Sequence, residues 1–299
     1  MKSKDYHFFY DSLHTFEDVK ALSKKHRVSC GILACILNQK VVADVKRKHH
    51  HVKNHEGDIV KEWKNKKTFL EISQRYRYPP TLISTLILQN IGCKKKEIAR
   101  YYKETQGISD PRLQKELTES LNADYFFSPK AHELQKEKGK IGENIISLWL
   151  KKKGWDYADE DELRAAGHDE KTPDFLLKKP ICLDDAGNEV YESTACDAVN
   201  DSADDDGEDA DIDDSEMSKI YWIESKALFG EVKEHKNYEK NQYLEYSKRY
   251  GPGLVVYWYG FETDILRGKK TGYFITDFSF FKKDFPNQVN RFLNFMVYW

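Results

Sequence analysis

No apolar run in the 299-residue chain approaches the ~20 residues that span a bilayer; the longest, such as 31–37, stop far short. The opening stretch MKSKDYHFFYDSLH lacks an apolar core followed by a small-residue cleavage site, so no secretory leader is expected. Cysteine is scarce. Cys30, Cys35, Cys93, Cys182 and Cys196 form an odd set of five without CxxC spacing, which points to reduced thiols in a cytosolic or nuclear protein. Basic residues are missing altogether from 184–216, which holds 15 acidic side chains and neither Lys nor Arg.

That last absence reshapes the charge balance. The chain has 48 Lys and Arg against 50 Asp and Glu, a net −2, but without the acidic stretch the rest carries +13. Residues 1–139 alone hold 27 basic and 17 acidic side chains. A basic body with an acidic insertion is suited to a polyanionic partner, although charge alone fixes neither fold nor partner. Apolar residues make up 39%, so long disordered stretches are expected only in the insertion, and the length suggests two compact domains.

Three parts follow. Residues 1–13 read as an N-terminal tail. Residues 14–126 read as helices joined by short turns, including 68–76, a turn at Arg77-Tyr78-Pro79-Pro80, and a helix over 81–91. Pro80 suits a first helical turn, where its missing amide hydrogen costs nothing. Helix, short turn and helix among Lys and Arg is the outline of a helix-turn-helix DNA binder, and equally of a plain helical packing domain. From residue 138 the period changes. A helix over 141–153 closes at Gly154, and strands are expected at 155–158, 173–177, 220–227, 254–259 and 272–277. Helices are expected at 235–250 and 286–297. The mixture predicts an α/β domain over 138–299. The acidic stretch, 183–218, has too few large apolar side chains to offset its ordering entropy and should be a disordered insertion.

Two short stretches carry chemistry. Thr172-Pro173-Asp174-Phe175 opens an apolar strand. Tyr221-Trp222-Ile223-Glu224-Ser225-Lys226-Ala227 is an apolar strand that abruptly bears a carboxylate and an ammonium. Glu224 and Lys226, two apart, share one strand face. Charges on a central strand are costly unless they are paired or hold an ion. Mg²⁺, or Mn²⁺ in its place, prefers carboxylate oxygens plus water, so Asp174, Glu224 and the Ser225 carbonyl form a candidate ligand set. Lys226 would then orient water or neutralise charge at a phosphoryl group. The plain alternative is an exposed Glu–Lys pair. His49-His50-His51 and His55 read as a solvated basic helix end rather than a zinc site. Cys30 and Cys35 read as core, and Tyr257-Trp258-Tyr259 as packing rather than base stacking.

Asp174, Glu224-Ser225-Lys226 and an upstream helix carrying Gly142-Glu143 together resemble the PD-(D/E)XK nuclease superfamily. Gln242 and Tyr246 match the QxxxY pattern of its RecB-like members; their i, i+4 spacing would set both on one helix face. The stretches 159–177, 221–231 and 250–261 resemble the codanin-interacting nuclease family, whose vertebrate member is linked to a congenital dyserythropoietic anaemia. The resemblance implies a restriction-endonuclease-like, Holliday-junction-resolvase-like domain behind helix-turn-helix elements. It also implies metal-dependent phosphodiester hydrolysis, a codanin-like partner, and residence in nucleus and cytoplasm. The implied site residues are Asp174, Glu224 and Glu143 as metal ligands, with Lys226, Gln242 and Tyr246 beside them. A catalytically silent adaptor of the same fold stays open as the alternative. The acidic insertion, tethered between the two motif strands, is expected to start close to the site and act as a weak electrostatic gate, and equally reads as a solvated loop with no role. Ser202 and Ser215 within it are candidate phosphorylation sites.

Overall fold

The computed structural model describes residues 1–167, 170–183, 218–267 and 272–295. These form two compact units, one of Met1–Cys35 with Lys138–Trp299 and the other of Ile36–Glu137. The chain opens with α1 (Ser3–Ser12), α2 (Phe16–His26) and α3 (Cys30–Asn54), followed by α4 (Glu56–Lys64) and α5 (Phe69–Tyr76). Next come α6 (Pro80–Asn90), α7 (Lys95–Lys103), α8 (Pro111–Ala123) and α9 (Pro129–Lys153).

The expected tail over 1–13 is therefore a helix. Tyr6, Phe9 and Leu13 recur at i, i+3 and i+7, and all three are buried. Tyr6 stacks flat on Phe229, with ring centroids 5.4 Å apart, so this helix belongs to the sheet-bearing unit. The helical unit likewise does not run from 14 to 126. Its limits fall inside α3 and α9, two 25-residue helices, and the second limit coincides with the expected start of the α/β domain at 138.

In the helical unit the anticipated pair exists. A capping box of Thr68 and Glu71 starts α5, and Pro80 opens α6. Its packing, however, differs from that of a groove-reading helix. Thr81, Ile83, Ser84, Ile87 and Leu88 of α6 are buried, and Leu82 and Leu86 pack against the same core as Ile59, Phe69, Ile72 and Leu117. Only Gln89 and Asn90 are exposed, and the helix carries no charged residue. The second helix of the pair is the hub of its unit. It has no free face to lay in a groove, and this corrects the helix-turn-helix outline.

The other unit is α/β, as expected. Its remaining elements are β1 (Tyr157–Asp159), α10 (Glu160–Ala165), β2 (Phe175–Leu183), β3 (Ser218–Lys226) and α11 (Val232–Tyr238). A π-helical turn (Glu239–Tyr243) joins α11 to α12 (Leu244–Tyr250). Then follow β4 (Gly253–Tyr257), β5 (Tyr273–Asp277), α13 (Phe278–Lys282) and α14 (Pro286–Asn294). The five strands form one mixed sheet in the order β1-β2-β3-β4-β5. β1, β2 and β3 pair antiparallel, while β3, β4 and β5 pair parallel. All of β4 is buried, as befits a parallel strand covered on both faces. Trp222, Val255 and Tyr257 pack with Tyr243 and Tyr246 on one face. Trp258 packs against Phe281 and Phe292, and Trp149 of α9 against Phe281. Among the described residues no helix is long and apolar enough to cross a membrane.

The acidic segment, with Ser202 and Ser215, lies outside the described residues, but its anchors do not. Leu183 pairs with Ser218, so 184–217 connects the two strands of an antiparallel hairpin. Ser218 stands six residues before Glu224, roughly 20 Å along the strand. The insertion thus leaves the hairpin at the end away from Asp174 and Glu224, because antiparallel pairing puts the strand mouth and the strand turn at opposite ends. The expectation that its ends start at the site does not hold. Cys30, Cys35 and Cys93 are free thiols. Cys196 lies outside the described residues.

Candidate active site

The antiparallel register that aligns Phe175 with Ile223 sets Asp174, just before β2, beside the last residues of β3. The Ser225 amide donates to Asp174 Oδ2 at 2.7 Å. Strand alternation sends Trp222, Glu224 and Lys226 to one face and Ser225 to the other. Lys226 Nζ donates to Glu224 Oε1 at 2.5 Å and to Gln242 Oε1 at 3.1 Å. It also lies 4.6 Å from the centre of the Tyr238 ring, a cation–π contact that holds the ammonium in place. Asp174, Glu224, Lys226 and Gln242 are thereby joined in one hydrogen-bonded set.

The set is electrostatically unfinished. Glu224 is 4% exposed, yet its Oε2 has no hydrogen-bond partner among the described residues. Burial, reinforced by the Glu224 charge, pushes the Asp174 carboxyl well above the usual carboxylate range. Burial raises Glu224 too, although the Lys226 ammonium opposes it. For Lys226 burial works downward, but the Glu224 carboxylate outweighs it and holds the amine above its ordinary value. One ammonium is not enough positive charge for two buried carboxylates, and a buried orphan acceptor costs about 1–3 kcal/mol.

Glu143 comes to this region on α9, half-buried. Burial raises its carboxyl, with smaller contributions from the Glu160 and Glu224 charges. Its approach depends on the residue before it. A Cβ at Gly142 would lie 2.6 Å from Trp258 Nε1, closer than atoms pack, so only glycine lets α9 pass the indole. The same indole N–H donates to Ser225 Oγ at 2.9 Å. Gly142, Trp258 and Ser225 thus link the helix of Glu143 to the strand of Glu224. Nothing in the sequence pattern flagged Trp258 beyond packing, and Tyr238 was overlooked although it stands four residues before Gln242.

Tyr246 takes a different partner from Gln242. It is buried among aromatics, and its hydroxyl donates to the Thr172 carbonyl at 2.9 Å, bracing the turn that carries Asp174. A π-helical turn ends between the two residues. The His51 and His55 rings lie tilted against each other with centroids 4.4 Å apart. Among the described residues no three His, Cys, Asp or Glu side chains are gathered closely enough to hold a metal by themselves.

A family model described as a protein of unknown function with a TPD sequence motif matches residues 109–202 and 211–279, more than half of the chain. Thr172-Pro173-Asp174, the turn that Tyr246 braces, spells that motif. The chain belongs to this family. CDAN1-interacting nuclease 1 of Mus musculus is 26% identical to it over 279 residues, which is 87% of this chain and 85% of the relative. The Bos taurus and Homo sapiens proteins of that name are each 26% identical over 262 residues, 82% of this chain and 81% of each relative. No solved structure matches the chain. The family motif and the hydrogen-bonded set coincide at Asp174.

Proposed function

We propose that this chain is a metal-dependent nuclease of the PD-(D/E)XK type, hydrolysing phosphodiester bonds in DNA and acting with a codanin-like protein in nucleus and cytoplasm. One observation carries the proposal: the orphaned Glu224 Oε2 lies in a buried set that also holds Asp174, Lys226 and Gln242. The names of the relatives, nucleases that interact with CDAN1, support the reaction class and the partner.

The donor set suits Mg²⁺ or Mn²⁺. Two carboxylates with too little opposing charge and a vacant oxygen match a hard cation that keeps several waters and takes one or two carboxylates from protein. Asp174, Glu224 and the Ser225 carbonyl would hold it, with Glu143 behind them. When bound, such a cation polarises a phosphoryl oxygen and makes water a better nucleophile. The side chains supply the rest. The Ser225 amide fixes Asp174 by occupying Oδ2. The Glu224 carboxylate keeps the Lys226 ammonium protonated, and Gln242 and the Tyr238 ring hold it in place, ready to neutralise charge that builds on the phosphoryl oxygens. Tyr246, Trp258 and Gly142 hold the strand, turn and helix in register. The adaptor alternative draws on the lack of a three-ligand cluster, which leaves two carboxylates as the main protein donors.

Incubation of the purified chain with Mg²⁺ or Mn²⁺ and single-stranded, duplex, flap and four-way-junction DNA tests the proposal. Cleavage of at least one substrate that stops with EDTA is expected. DNA bound but left intact with both cations would favour the adaptor.

A further inference from the structure

The helical unit carries 20 Lys and Arg against 13 Asp and Glu over 36–137, a surplus of seven. Its central helix α6 carries none of that charge. Six cations elsewhere in the unit are locally neutralised: Arg47 by Asp44, Lys53 by Glu56, Lys67 and Arg75 by Glu62, Arg112 by Glu116, and Lys115 by Glu119. The segment 94–103 departs from this pattern. It holds Lys94, Lys95, Lys96, Arg100 and Lys103 against a single acid, Glu97.

The geometry of α7 sorts these charges. Lys96, Arg100 and Lys103 recur at i, i+4 and i+7, so they form one stripe, and all are exposed. Ala99, also exposed, sits beside the stripe, where its methyl cannot hold a partner off the helix. Among the described residues none of these basic side chains has a carboxylate partner. Glu97 does not supply one, since its Oε1 accepts from the Tyr101 hydroxyl at 2.8 Å. The opposite face is anchored. Ile98 is buried, and the Tyr102 hydroxyl donates to the Thr81 carbonyl at 2.8 Å while meeting the Ser84 and Thr85 hydroxyls at 2.7 Å each. Three bonds to the first two turns of α6 make α7 a rigid part of the unit rather than a loose basic arm.

A fixed row of unpaired cations spread over roughly 10 Å fits a polyanion with regularly spaced charges better than a single small anion. We propose that α7, not the second helix of the apparent helix-turn-helix pair, grips the phosphodiester backbone of nucleic acid. The choice of nucleic acid as the polyanion rests on the nuclease function proposed above. The contact is with backbone, so it supplies affinity and register without sequence preference.

The test uses the full-length chain in EDTA, where binding is read without cleavage. Duplex DNA of two unrelated sequences and a single-stranded RNA are titrated by fluorescence anisotropy across a salt series. The triple variant Lys96→Gln/Arg100→Gln/Lys103→Gln is compared with Lys20→Gln/Lys24→Gln/Lys25→Gln, which loses the same charge from α2. Glutamine keeps helix propensity, and matching thermal melts check that both variants fold. The α7 variant is expected to bind at least about tenfold more weakly at low salt. Its slope of log affinity against log salt should be shallower by about 2–3, equally for both DNA sequences. The α2 variant should stay close to wild type. Loss on DNA, on RNA or on both supports the proposal and says which backbone is held. Equal affinities and slopes for wild type and α7 variant would overturn it and leave the stripe to an acidic protein surface. So would a loss confined to one DNA sequence. Intact α7-dependent binding without metal-dependent cleavage would instead sink the nuclease function and leave this inference standing.

Discussion

Each unit buries a carboxylate against its central element, and the two are treated oppositely. Asp124 is 3% exposed and closes the first turn of α6. Its Oδ2 accepts from the Thr81 amide and hydroxyl, and its Oδ1 from the amides of Phe126 and Phe127. Glu224 is buried to the same depth on β3 but has one oxygen on Lys226 and the other without a hydrogen-bond partner among the described residues. A satisfied buried carboxylate strengthens a fold. An unsatisfied one is paid for elsewhere in the fold and is retained where something outside the chain completes it. Under the proposed function, the difference separates a structural acid from a metal-binding one without reference to any motif.

The largest effect that tests this contrast comes from exchanging activity and stability between the two positions. Glu224→Gln and Lys226→Ala are each expected to lower cleavage by about a thousandfold or more while leaving DNA affinity largely intact. Glu224→Gln should melt no lower than wild type, since it removes an uncompensated buried charge. Asp124→Ala should do the reverse, with a stability loss of about 2–4 kcal/mol in denaturant unfolding and near-normal cleavage per folded molecule. An active Glu224→Gln, or an Asp124→Ala as stable as wild type, would break the comparison.

Trp258→Phe sharpens it. The substitution keeps ring packing against Phe281 but deletes the N–H that holds Ser225 Oγ. A fall in kcat of about tenfold with little change in KM is expected, for a stability cost of about 1 kcal/mol. Equal losses of stability and activity would reduce Trp258 to a packing residue.

A smaller effect is the pH dependence of stability in EDTA. Asp174 and Glu224 both have folded pKa values above their ordinary ones, so the folded state binds protons more readily than the unfolded state. The stability linked to these groups is therefore present below the ordinary carboxylate range near pH 4 and is lost as pH rises through the raised folded values. Their contribution is the difference between wild type and Glu224→Gln: the wild-type Tm should fall more steeply from about pH 5 to about pH 8, and parallel curves would refute the uncompensated charge.

The smallest effect is expected from replacing 184–217 with a short Gly/Ser linker. Leu183 and Ser218 already pair across the hairpin, so fold and cleavage should persist. Any tightening of DNA binding should be confined to low salt and vanish at high salt. Identical binding curves at both would remove the insertion from DNA handling.

Much of this was written locally in the sequence. The alternation along 221–226 marked β3, and charges at positions 224 and 226 of an apolar strand marked the site, because strand alternation is a property of the backbone alone. Pro80 and the Thr68–Glu71 capping box marked helix starts for the same reason. Other features depended on what each element met in three dimensions. The stripe on α6 said that one face was apolar, but only packing against α4, α5 and α8 showed that nearly every face is covered. Gln242 and Tyr246 looked equivalent, but one accepts from Lys226 and the other donates to the Thr172 carbonyl. The insertion was legible as acidic, yet the direction of the β2–β3 hairpin set it at the far end from Asp174. Trp258 read as one more aromatic, and its hydrogen bond to Ser225 exists because β4 runs parallel to β3 and brings its following residue to that strand's end. A sequence records which atoms each residue can offer; whether an atom such as Glu224 Oε2 is matched or left over is decided by neighbours from other parts of the chain.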